Sequence, residues 1–385
     1  MNDKKNKTNK EGAALLVVLF VVMAITILSL GFLSRSDVEL ACGENMILRT
    51  QMDYLAESGL EHARGLILNP QDVDSEYWAG DVRQQLVEGS DDYCDVTVSR
   101  DDPNLCNYII ICDAYREKNG EKTGRSRLEA ELRLDPCIAF WTGSQWTTEP
   151  LTTINGDVYC DGDLRKYGDG ADINGDAFAK GDISATNIEG QKSEYVVEAP
   201  VDLPGLATAD FSSQYYIGSD LYSVDIISTS DLNDITLGPT AGNPAGIYYR
   251  DGGLELPGGV NIEGMLVVNG DLRITGANNV ISAMKNFPAL LVSGKVVMED
   301  GGTLEVKGLA QIGQGILVTG GNVDIDVVGS LFIVQGNIDG AYENSTFINV
   351  TAEPSIASIQ IWPTAGTARR WSPAAGAFFR SIRRN

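Results

Sequence analysis

The sequence predicts an α+β chain: a long N-terminal helix, a small antiparallel sheet, and a mainly-β region wound as a right-handed parallel β-helix. Three observations predict it. A charge-free apolar run from Ala13 to Leu33 passes without a proline into a periodic stretch that ends at Asn69-Pro70. Apolar and polar residues then alternate between Val96 and Leu134, and from about residue 150 short apolar runs end repeatedly in Gly turns. For that last region a β-sandwich is the alternative, because short strands at irregular spacing also describe one.

The composition narrows the chemistry. The 385 residues include 53 acidic and 29 basic side chains but one histidine, His62. A Ser/His/Asp site needs an imidazole beside its nucleophile, and a zincin helix needs two, so these classes are excluded or starved. The net charge of −24 is unevenly spread: residues 1–12 carry plus two, residues 369–385 carry five arginines and no acid, and the body between them carries minus 31. Such a body repels nucleic acid, which is not expected as a partner.

The first element is a helix over 13–68. Its 21 residues from Ala13 to Leu33 hold only Thr26 and Ser29 as polar side chains, and at about 1.5 Å per residue they span a hydrocarbon core of roughly 30 Å. Lysines before the run and none soon after it place the N terminus inside and the rest outside. A cleaved secretory signal is the alternative, but its apolar core is shorter and ends in small residues. Leu48, Met52, Leu55, Gly59, His62 and Leu66 then recur at helical steps, and Pro70 supplies the stop. One helix over 13–68 would be about 84 Å long.

At these residues the chain resembles a known family. The Lys-rich leader ending in Gly12, the apolar start Ala13-Ala14-Leu15-Leu16, and the stretch Tyr54-Leu55-Ala56-Glu57-Ser58-Gly59-Leu60-Glu61 are similar to the N-terminal region of type IV pilus minor pilins of the PilX type, and to the larger minor pseudopilins of type II secretion. The resemblance covers roughly residues 10 to 70. It implies that residues 1–12 are a prepilin-type leader, that a prepilin peptidase cuts between Gly12 and Ala13, and that the new amino group of Ala13 is methylated. It also implies other pilins as partners and the inner membrane as the starting location, with Tyr54, Ala56, Glu57, Gly59 and Glu61 as the helix motif. One departure is Val17, at the fifth position after the cut, where most major pilins carry a glutamate. A subunit with nothing ahead of it at a filament tip has no amine to neutralise there.

The second element, 69–150, reads as the antiparallel sheet. Tyr108-Ile109-Ile110-Ile111 is its expected central strand, and Leu128 to Leu134 alternates as a half-buried one. Cys94, Cys106, Cys112 and Cys137 fall here without a CxxC pair, so one or two structural disulfides among them are expected and metal clips are not.

The third element, 151–363, is the Gly-rich β-helix-like region. The turn glycines at 270, 294, 320 and 336 suggest coils near two dozen residues long. Residues 191–245, with four prolines, read as a loop-rich insertion. Asp161, Asp163, Asp169, Asp172 and Asp176 cluster in sequence; paired carboxylates could serve a carbohydrate-active enzyme, but nearly all sit beside Gly or Asn as turn residues do. Asp172, Asn174 and Asp176 have the alternating start of a calcium loop, making Ca2+ the one cofactor expectation, without the closing glutamate. Residues 364–385 read as a basic C-terminal tail, frayed or docked on an acidic partner or surface polymer.

The function these expectations converge on is a non-enzymatic, pilin-like minor subunit for assembly or tip formation of a type IV pilus or secretion pseudopilus. The alternatives are a membrane-anchored carbohydrate-active β-helix enzyme and a static surface scaffold or adhesin.

Overall fold

A computed structural model describes residues 7–70, 77–102, 106–148, 151–167, 170–184, 187–340 and 346–384, with backbone alone at 7–13 and 101–102. Helix α1 runs unbroken over Lys7–Leu68. Four strands follow, β1 (Gly80–Gln84), β2 (Asp92–Asp102), β3 (Asn107–Lys118) and β4 (Glu121–Leu134), paired antiparallel in chain order. The central position falls to β3, as the Tyr108–Ile111 run predicts. Its inward residues Tyr108, Ile110, Cys112 and Ala114 are buried under the second half of α1.

The fifth strand of this sheet is the surprise. Residues 364–385, read as a basic tail, form the strands Thr367–Trp371 and Ala377–Arg384, and the latter pairs antiparallel with β4 along its outer edge. The arginines do not fray. Arg384 reaches Asp53 and Glu57 on α1 at 3.2 and 3.7 Å, and Arg64 of the helix lies 5.8 Å from the Phe379 ring. The last strand's sequence, with Phe378 and Ile382 exposed, carries no clean alternation, and a strand whose partner lies some 250 residues away leaves no local trace.

Everything between β4 and that last strand is a parallel β-solenoid with its satellites, beginning at Ile138–Thr142 rather than near 151. That five-residue apolar run reads equally well as a sheet strand; its two parallel neighbours decide the matter. Three parallel faces make up the coils. The second face contains Ile247–Asp251, Met265–Asn269, Leu290–Val292, Ile138–Thr142 and Asp157–Cys160. Leu266 pairs with Leu290, 24 residues on; Leu290 pairs with Ala310, 20 on; Ala310 pairs with Leu331, 21 on. The 26- and 16-residue glycine spacings arise because Gly320 lies at a different corner from Gly270 and Gly294, which stack directly through an amide hydrogen bond of 3.0 Å.

The winding order is not the chain order. Ile138–Thr142 and Thr152–Asn155 form the middle coil, and the chain winds outward from it through Ala177–Ala179 and Lys192–Ser193. It then crosses to the opposite end, restarts at Asp225–Ile226 and winds back, until Leu331–Ile333 and Ile348–Thr351 close onto Phe140–Thr142 and Thr152–Asn155. Of the stretch 191–245 read as a loop-rich insertion, residues 194–224 are this crossing, while Lys192–Ser193 ends the outward winding and Asp225–Ile226, Asp231–Asn233 and Thr236–Leu237 already belong to the returning coils.

That crossing explains the sequence texture. Strands such as Met265–Val268 are apolar at every position because both sides are covered: the inner side by the coil core, the outer by Val201, Leu206, Phe211 and Tyr215 from the crossing segment. On the neighbouring face, which carries Asn261–Glu263 and Asn279–Ser282, the outer side is more open, and Asp324–Ile333 begins with exposed or half-buried residues alternating with buried ones. Where the long strands Thr303–Ile312 and Asp324–Ile333 turn from one face to the next, Gly308 and Gly329 stack at φ +129° and +140°. A Cβ on Gly329 would lie 2.1 Å from the Gly308 carbonyl oxygen, so the corner admits no side chain.

Candidate membrane and assembly interface

Among the described residues, the first half of α1 packs against no other part of the chain. From Ala14 to Ile47 every residue is exposed, Leu15 at 74% and Phe32 at 71% among them. At about 1.5 kcal/mol or more for each large apolar side chain withdrawn from water, the fifteen between Leu15 and Leu33 represent on the order of 20 kcal/mol awaiting lipid or other helices. Thr26 keeps its hydroxyl proton inside the helix, donating to the Val22 carbonyl at 2.8 Å, so the segment carries little polar cost into hydrocarbon. Among the described residues this is one helix long and apolar enough to cross a membrane. The Gly12–Ala13 peptide lies in its first helical turns, where backbone alone is described.

The second half is the mounting. Met52, Ala56, Gly59, Leu60, Ala63 and Ile67 form the face buried on the sheet, while Leu55 and Leu66 are half-buried and His62 is exposed, its ring 6.0 Å from Trp78. The periodicity finds Met52 and Gly59 but selects Leu55, His62 and Leu66 where Ala56, Ala63 and Ile67 one residue on make the contact. Gly59 carries the closest approach: a Cβ there would lie 2.4 Å from the Cys112 sulfur and 3.5 Å from that of Cys94.

The helix motif therefore divides. Ala56 and Gly59 are core, Tyr54 is exposed at 66%, Glu57 is tied to Arg384, and Glu61 pairs with Arg64 at 2.8 Å. Of the four clustered cysteines, Cys106 and Cys137 are disulfide-bonded, joining β3's entry to the first solenoid strand. Cys94 and Cys112 are buried thiols beneath Gly59. Each perturbs the other: the Cys112 thiol lowers the pKa of Cys94, and its own is raised by the Cys94 partner and by burial.

The aspartates serve the solenoid corners. Asp157 is 4% exposed and accepts the amides of Cys137 and Asp176 at 2.7 and 2.8 Å; Asp176 in turn accepts from Gln191 at 2.7 Å, and Asp163 from Asp182 at 3.0 Å. Each carboxylate thus caps the coil stacked on it. Burial raises the Asp157 pKa to about 6 despite those two amides. Asp161 accepts from the Tyr159 hydroxyl and pairs with Lys180, and Asp169 lies outside the described residues.

Of the calcium-loop residues, Asp172 and Asn174 line one surface pocket with Asn187 and Glu189, and Asp176 is not part of its lining. Asp172 accepts from Asn187 at 2.9 Å, Asn174 donates to Asn155 at 2.8 Å in a ladder that continues to Thr351, and Asp176 also pairs with Arg133 of β4 at 3.5 Å. Among the described residues no three His, Cys, Asp or Glu side chains converge to hold a metal ion.

Local sequence gives no signal for the junction between sheet and solenoid. Arg100 of β2, 10% exposed, meets the fully buried Glu353 at 2.6 Å and donates to the Ala352 carbonyl at 3.2 Å. Burial beside that carboxylate raises the Tyr108 phenol above its ordinary range. On the other side, Asn286 donates to the Pro70 carbonyl at 2.6 Å, at the end of α1.

No family model matches the chain, and no curated protein matches it. Among solved structures, the competence-associated pilin ComZ from Thermus thermophilus is 11% identical, with 88% of this chain and 98% of that chain covered and a TM-score of 0.32.

Proposed function

We propose that the chain is a non-enzymatic, pilin-like minor subunit that helps to assemble or cap a type IV pilus or type II secretion pseudopilus. The observation that carries the reading is one continuous helix with two unlike halves. The half to Ile47 is exposed and apolar at its start, fit for lipid or a bundle of like helices; the half from Met52 is packed on an antiparallel sheet. A plain anchor needs only the first half, and a soluble domain only the second.

In this reading the chain starts in the inner membrane with its N terminus inside, a prepilin peptidase cuts between Gly12 and Ala13, and the freed helix joins other pilins. Val17 in place of a glutamate supports a tip position. The solenoid is displayed on the outer side, where a surface polymer could meet it. The test is the N-terminal residue of the protein purified from its own cells. A chain beginning at Ala13, absent when Gly12 is changed to Asp, is the expected result; an intact Met1 overturns the assembly role.

A further inference from the structure

A cavity of about 340 Å³ opens where the crossing segment meets the C-terminal hairpin Ile359–Thr364 and Thr367–Trp371. The size is that of a small-ligand site, commonly ~300–1,000 Å³. Its aromatic wall is rigid. Phe287 packs against Tyr215, Phe211 and Trp362 with centroid separations of 5.4, 6.3 and 6.4 Å. The Tyr215 hydroxyl is fixed by Asn243 at 2.8 Å and by the Ala245 amide at 3.0 Å. Trp362 and Tyr216, backbone partners across the hairpin seam, remain partly exposed at the cavity.

The polar lining selects the ligand. Asp210 offers one carboxylate oxygen, its other accepting the Ala207 amide at 3.1 Å, Arg369 a guanidinium and Gln214 an amide that both donates and accepts. A hydrocarbon would cover the guanidinium, the amide and the remaining carboxylate oxygen without offering them partners, which is costly. An anion would meet Asp210 and a body of strongly negative charge, and a cation would meet Arg369. A polyhydroxylated ring satisfies all three, since each hydroxyl donates and accepts. Its C–H face, slightly positive, suits the negative face of an aromatic ring.

We propose that this cleft binds a neutral saccharide, with Trp362 and Tyr216 as the ring platform and Asp210, Gln214 and Arg369 as hydroxyl partners. The site stands on the solenoid and its satellites, independently of whether the chain enters a filament.

The test uses the full chain in lipid nanodiscs, free of sugar-based detergent. It is titrated calorimetrically with short oligomers of glucose, of N-acetylglucosamine and of galacturonate, up to about 10 mM, where weak binding still registers. At least one neutral oligomer should bind more tightly than galacturonate, and Trp362→Ala should weaken it by about tenfold or more. Arg369→Met and Gln214→Ala change side chains at the rim and should each weaken binding severalfold without moving the melting temperature, so a folding defect in the tryptophan variant leaves the question decidable. Absence of neutral-oligomer binding, preference for galacturonate, or affinities indifferent to the two rim variants would overturn the proposal.

Discussion

Single residues in this molecule act mostly through how closely backbones approach. Gly59 and Gly65 lie in the same helix, and an added Cβ meets the Cys112 sulfur at 2.4 Å in the first case and nothing within 4 Å in the second. Helix propensity favours alanine over glycine at both by about 1 kcal/mol. At Gly65 nothing opposes it, so Gly65→Ala should stabilise by up to that amount. At Gly59 overpacking costs of about 1–3 kcal/mol win, and Gly59→Ala should destabilise, with Gly59→Leu lifting the helix off the sheet. Opposite shifts in denaturant midpoint would confirm both; shifts of one sign would refute the contact.

Asp157 makes a pH statement. Its folded pKa of about 6 stands above the ordinary 3.8, so between those values the native state holds a proton that the unfolded chain has released. Its contribution to stability is complete below about pH 4 and is lost as pH rises through 6, on the order of 3 kcal/mol. Asp157→Asn cannot titrate. The difference in unfolding free energy between wild type and this variant should therefore fall from pH 4 to pH 7; a flat difference would show that the carboxylate ionises freely in the fold.

Among the elements, the strand Ala377–Arg384 decides whether the sheet is closed. It covers the outer edge of β4 and brings Arg384 to Asp53 and Glu57. Ending the chain after Gly376 should bare that edge, speed amide exchange along Leu128–Leu134 and loosen α1. Arg384→Ala alone should cost less than about 1 kcal/mol, because the pair is half exposed. If truncation leaves exchange in β4 unchanged, the strand is ornamental.

The elements also show what the sequence could carry. The helix, the β3 core and the alternation of β4 were legible because each repeats a local period that burial requires. On the buried face of α1, Met52 and Gly59 were legible, whereas Ala56 and Ala63 were not, because smallness has weak periodic contrast. The C-terminal strand and the Arg100–Glu353 pair were illegible for another reason: their partners are supplied by long-range folding, and nothing near either residue announces them. The aromatic cleft was illegible likewise: Phe211 and Tyr215 lie in the stretch read as a loop-rich insertion, and Phe287 and Trp362 reach them only through the fold.

For the molecule as a whole, the sheet and the solenoid form one assembly through a buried charge. Arg100 and Glu353 sit 2.6 Å apart with Glu353 fully enclosed. Removing one partner strands the other, which in such settings costs about 3–5 kcal/mol. Arg100→Met should therefore lower stability by several kcal/mol, and adding Glu353→Met should recover part of the loss. A double variant as unstable as the single one would mean that the contact works by shape rather than charge.

The solenoid leaves the sheet at Leu134 and returns to it at Ala377, and these two residues are direct antiparallel partners. Topologically, some 240 residues occupy the place of a hairpin turn. A module joined through two adjacent strand ends needs agreement with its host at that doorway and at a few contacts beside it, the Arg100–Glu353 pair and the Asn286–Pro70 hydrogen bond among them. Exchanging the solenoid for another module at this doorway would leave the strand order of the sheet intact but would have to replace the Arg100 partner as well.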